Sequence, residues 1–144
     1  MGLHAVVYKN RKNLPFDPEQ VGATLDGRTG EFYFQDSSAE KRFNGKVVVA
    51  VNRHFGNVSA VDRLSKAVER SLGRQNSLLQ NKVLFNGTHA GDVIEPVHLH
   101  RLGAEIEEVR SSSLVNQLPA LAEFIRMEDL LKAALEEGNP IVFT

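Results

Sequence analysis

The sequence predicts a mixed α+β fold. It implies a β-sheet of about five strands, with one βαβ unit over residues 46–86, packed by about three helices. Three observations predict it. Apolar residues recur at helical spacing over 58–72, where Val58, Val61, Leu64, Val68 and Leu72 share one side and Asp62, Arg63, Lys66, Glu69 and Arg70 take the wet faces. Short β-branched or aromatic runs occupy 3–9, 31–34, 46–51, 82–86 and 141–143. Turn signals separate several of these segments: Asp26-Gly27-Arg28-Thr29-Gly30, Asn44-Gly45 and Gly138-Asn139-Pro140.

Each element follows from its residues. Residues 3–9 form a first strand, stopped by the polar Asn10-Arg11-Lys12-Asn13. Two prolines punctuate 14–18, each pushing its predecessor away from helix. Asp17 and Pro18 then suit the cap and first position of a single helical turn. Phe32, Tyr33 and Phe34 give the second strand its aromatic bias. The run at 46–51 lacks alternation, as expected of a strand buried on both faces. The helix over 58–72 has Asn57 and Ser59 as candidate caps and Gly73 as its stop. A fourth strand over 82–86 follows a polar link. A second helix spans 97–110, with Leu99, Leu102, Ile106 and Val109 as its stripe. A third spans 117–137, where Glu128-Asp129 predicts a kink or a break. Residues 141–143 make a short last strand that needs an existing sheet to join.

Composition bounds the class. At 144 residues, 42% hydrophobic and 24% charged, the chain reads as one α+β domain over 1–144. A chain of this size buries roughly 68–70% of its unfolded surface. The formal charge of −1 gives no basic field for nucleic acid. The absence of cysteine removes disulfides, thiol nucleophiles and thiolate metal sites, and fits a reducing cytoplasm. No apolar run reaches membrane length, and the N-terminus lacks the order of a signal peptide.

The chemistry-bearing residues gather in two stretches. Gly87-Thr88-His89-Ala90-Gly91-Asp92 follows the 82–86 strand. Arg53, His54 and Asn57 follow the 46–51 strand. In a βαβ unit both loops would lie at the C-terminal edge of two parallel strands and face one crevice. Gly87, Thr88, His89, Gly91, Asp92, Arg53 and Asn57 are therefore the candidate ligand-binding residues, with a small anion as the ligand that backbone N–H groups there would hold. His89 oriented by Asp92, with His54 opposite, is the candidate acid–base set. The simpler account is a tight turn whose glycines supply positive φ. The loop lacks the Gly-Lys-Ser/Thr ending of a phosphate loop and the Gly-x-Gly-x-x-Gly of a dinucleotide site. His98 and His100 fall about 200° apart on a helix, so they cannot join His89 and Asp92 on one metal. No cofactor and no metal are expected.

The opening Met1-Gly2-Leu3-His4 with Tyr8 resembles small bacterial proteins that begin Met-Gly-Leu-Asp, with His4 departing from the acidic fourth position. The compact cysteine-free α+β build resembles small toxin-neutralising immunity proteins, a likeness of size and class. The sequence thus points to a small soluble cytoplasmic protein of bacterial type. Its expected role is a non-enzymatic protein-binding or regulatory, immunity-like module, with a protein partner or a homodimer and no nucleic acid or membrane. The alternative is a small enzyme or anion-binding domain built on His54, His89 and Asp92.

Overall fold

The computed structural model describes residues 2–35, 37–38, 45–74, 76–84, 90–112 and 121–144. The α+β class predicted from the sequence is the class observed. Strand β1 (Gly2–Tyr8) is the hub of the main sheet. On one side it pairs antiparallel with β4 (Val49–Asn57), and on the other with β6 (Ile141–Phe143). Strand β6 pairs antiparallel with β5 (Val93–Ile94), so the order is β4-β1-β6-β5. A separate two-stranded ribbon joins β2 (Ala23–Leu25) to β3 (Phe32–Phe34).

Alternation along β1 sorts its side chains by face. Leu3, Ala5 and Val7 enter the main core, together with Phe55 of β4 and Ile141 and Phe143 of β6. His4 and Val6 take the other face. The core face is covered by α1 (Val58–Leu72) and α3 (Leu121–Glu137), while α2 (Leu99–Ser111) packs against both helices. Helix α1 buries Val61, Leu64, Val68 and Leu72, much of the stripe its spacing predicts. Full burial of a side chain such as Leu64 contributes about 1.5–3 kcal/mol. Its ends are set by Asn57, whose side chain accepts the Ala60 N–H at 2.9 Å, and by Gly73 in the left-handed region. Strand β4 runs into α1 with no loop between them. Gly56 sits at that junction with φ +122°, and a Cβ there would lie 2.9 Å from the Ala60 Cβ. Strand and helix meet too closely for any side chain.

Several sequence expectations are corrected. The βαβ unit over 46–86 does not form, because every described strand pairing is antiparallel. Residues 45–48 make a 3-10 turn, and the strand is displaced onward to 49–57. Residues 52–57 are therefore strand rather than loop. Leu79–Val83 is a π-helical turn, so the expected strand over 82–86 is absent as far as Leu84; residues 85–86 lie outside the described residues. One cause is local: Ser77 and Gln80 are bonded to each other, with the Gln80 N–H donating to Ser77 Oγ at 3.1 Å and the hydroxyl donating to Gln80 Oε1 at 2.8 Å. From α2 the buried Glu105 carboxylate accepts the N–H groups of Leu78 and Leu79, both at 2.9 Å. These bonds satisfy the donors that a helix start leaves free. Ala23–Leu25 and Val93–Ile94 are strands that the sequence did not announce. Helix α3 is continuous through Glu128-Asp129. Glu128 is instead paired with Arg110 of α2, and Asp129 with Arg53 of β4.

Candidate functional site

The sheet order separates the two predicted stretches. Arg53, His54 and Asn57 belong to β4 at one edge, whereas Gly91 and Asp92 precede β5 at the other. Two strands lie between them, a span of roughly 14 Å at the usual strand spacing. His54 and Asp92 are not brought together, and no parallel pair of strands presents them on one edge. Gly87, Thr88 and His89 lie outside the described residues.

The residues of the β4 group each have local work. Asn57 caps α1. The Arg53 Nε lies 3.4 Å from Asp129 Oδ2, and its Nη1 donates to the Asn52 carbonyl at 2.9 Å. His54 is exposed, and its carbonyl accepts from Arg126 Nη1 at 2.8 Å. Its ring stands edge-on to His4 of β1. Among the described residues, no group of three or more His, Asp or Glu is placed to hold a metal ion.

The second group opens a different site. Gly91 and Asp92 exchange backbone hydrogen bonds with Phe143, at 2.9 Å each, which extends the β5–β6 pairing backwards. The Arg28 guanidinium, at the tip of the β2–β3 hairpin, reaches across to donate to the Gly91 carbonyl. Between hairpin and sheet lies a cavity of about 580 Å³. Three stretches line it: Leu25 to Gly30, Asp92 to Val97, and Gly138 to Pro140. The first and last hold the turns the sequence predicts at 26–30 and 138–140; the middle one contains the unannounced strand β5, and only the strand order shows that the three converge. Gly30 (φ +80°) must be glycine here, since a Cβ would lie 2.7 Å from the Asn139 side chain. Asn139 in turn donates to the Tyr8 carbonyl at 2.7 Å, tying the hairpin side of the cavity to the sheet.

The cavity lining mixes exposed apolar side chains with carboxylates. Val97 is 74% exposed and Leu25 53%, the first of these the most open large hydrophobic named among the described residues. Asp26, Asp92 and Glu95 supply carboxylates to the lining, against one guanidinium from Arg28. The Asp26 carboxyl is held below its usual range, chiefly by the Arg28 N–H that donates to it at 2.9 Å, with Thr29 and the Arg28 charge adding to the effect. Behind it, burial pushes the Glu31 carboxyl up, and the Asp26 charge adds to the shift, while a hydrogen bond from the Tyr8 hydroxyl opposes it. The Tyr8 phenol is raised by burial and by the Glu31 and Asp26 charges. Asp26 thus stays ionised toward the cavity, and Glu31 is the more easily protonated of the pair.

No protein-family model matches the chain, and no curated protein or solved structure matches it. No helix among the described residues is long and apolar enough to cross a membrane.

Proposed function

We propose that this protein is a non-enzymatic binding module of the regulatory, immunity-like class, and that it recognises another protein through the cleft between the hairpin and β5. The favoured occupant is a partner segment in which a lysine or arginine is flanked by an apolar side chain. The observation that carries this is the joint placement of the exposed Leu25 and Val97 in one cavity whose lining also holds Asp26, Asp92 and Glu95. Single exposed hydrophobics are ordinary on a soluble surface. Two that share a cavity with carboxylates have the mixed apolar and polar make-up of an interface. Arg28 is already bonded to the Gly91 carbonyl, so the lining carboxylates outnumber the cations among them. That balance disfavours the small anion considered from the sequence and favours a cation. A cytoplasmic setting belongs to the same proposal and rests on the cysteine-free composition.

Affinity capture from native cell extract tests it, with wild-type protein run beside Val97→Asp, Asp92→Lys and, on α1 away from the cleft, Lys66→Ala. A partner held by wild type and Lys66→Ala but lost from both cleft variants is the expected result. Wild type that enriches no protein, or a partner retained equally by both cleft variants, would overturn the proposal.

A further inference from the structure

We infer that His4 and His54 form a seat for a borderline divalent metal ion, of the Zn²⁺, Ni²⁺ or Cu²⁺ class, on the sheet face opposite the helices. The two residues are directly opposed across β1 and β4. Leu3 and Ala5, which flank His4, and Phe55, which follows His54, turn into the core, which leaves both imidazoles on the outer side. His54 is exposed and His4 half-buried. The ring centroids are 6.0 Å apart and the rings lie at 80° to one another.

Backbone pairing sets the scale of the site. The Thr144 N–H donates to the His4 carbonyl, so the backbone groups of His4 point toward β6. The His4–His54 pair is thus of the non-hydrogen-bonded kind, in which opposing Cβ atoms approach to about 4.5–5.5 Å. Two Zn–N bonds of about 2.0–2.1 Å at a tetrahedral angle place the nitrogens ~3.3 Å apart. With the His4 ring held by Asn52, the exposed His54 ring reaches this span by turning about χ2, a broad torsion for histidine. Imidazole nitrogen is the ligand type that zinc, nickel and copper share.

Asn52 adds a second, independent feature. It follows the same alternation on β4 as His54, and its Oδ1 is hydrogen-bonded to His4 Nε2. An amide oxygen only accepts, so Nε2 carries the proton and Nδ1 carries the lone pair. Metal-binding histidines are commonly oriented in this way, through a hydrogen bond from their other ring nitrogen. In that tautomer Nδ1 is the nitrogen of His4 left to ligate an ion, and Asn52 is its positioning residue. With two imidazoles and, among the described residues, no third His, Asp or Glu grouped with them, the remaining coordination positions go to water or to an incoming ligand. This is the open geometry of an exchangeable site rather than the closed geometry of a structural one.

Isothermal titration of the full chain with ZnCl₂ tests the site, with the fold of each variant checked by circular dichroism. One ion per chain is expected. His4→Ala and His54→Ala should each weaken binding roughly tenfold or more, the scale on which even outer-shell losses are felt. Asn52→Ala should weaken it less and leave the stoichiometry unchanged. His98→Ala and His100→Ala, both changing exposed histidines elsewhere, should bind as wild type does. If an alanine variant fails to fold, His54→Gln and His4→Gln replace it. Absence of zinc binding by wild type overturns the inference. So does binding that survives loss of both His4 and His54, or that is lost with His98 or His100.

Discussion

The two edges of the main sheet are built in different ways. At the β4 edge a nine-residue strand lies under α1 and α3, and its side chains enter the continuous core. At the β5 edge a two-residue strand gives Ile94 to that core and is flanked by turns held by backbone hydrogen bonds and by Arg28. The first edge is stabilised by buried apolar area. The second leaves apolar side chains such as Val97 in water. Under the proposed function, stability and recognition would fall to opposite sides of one sheet, and a partner docked on the turns would leave the packing around Phe55 undisturbed.

That division can be broken most sharply by Phe55→Ala. Phe55 is fully buried on β4, and large-to-small changes of this kind cost about 3–5 kcal/mol. Chemical denaturation should show a loss of that size, with binding at the cleft falling only as far as the folded fraction falls. Gly30→Ala acts on the other side. Its backbone lies in the left-handed region, where a side chain costs about 1–2 kcal/mol, and its Cβ would displace Asn139. A smaller loss of stability, combined with a larger loss of cleft binding than Phe55→Ala gives, would sharpen the contrast. Equal effects on both properties would erase it. The smallest effect belongs to Glu31→Gln. Burial and the nearby Asp26 charge raise the Glu31 carboxyl, so its favourable contribution is complete below the ordinary carboxylate range. That contribution is lost as pH rises through the folded-state value. Glutamine keeps an acceptor for the Tyr8 hydroxyl and removes the charge. Melting curves should therefore show a modest gain in Tm at pH 7 and none near pH 3, where both proteins are neutral at this position.

The same contrast separates what the sequence discloses from what it does not. Helix α1 was legible because stripe, cap and stop agree within fifteen residues. Strand β1 and the last strand were legible from β-branched runs. The stretch around Leu79–Val83 was misread because a short apolar run has no periodicity to decide between strand and helix. Its deciding signal, Ser77 three residues before Gln80, lies just outside the run, and its other support is Glu105, far along the chain. Val93–Ile94 is too short to carry any pattern. For the site, the turns at 26–30, 91–92 and 138–140 were visible singly. Their meeting depends on β6 lying between β1 and β5, which no local pattern encodes. Asp92 is a candidate partner for His89 in the sequence, and His89 lies outside the described residues; the structure adds that Asp92 lines the cleft beside the hairpin.

The position of β6 also has a consequence in time. Ala5 pairs with Phe143, and Asp92 and Gly91 pair with the same residue. The sheet therefore closes only when the last stretch of the described chain arrives to bridge its two halves. Contacts so distant in sequence slow folding, because the entropy of closing the loop is lost before the contacts repay it. During synthesis β1 must wait for β6, and the cleft has no wall at 138–140 until that moment. A nascent chain lacking those residues displays the hairpin without its counterpart. The surface proposed to dock a partner is then among the last of the described parts of the molecule to form.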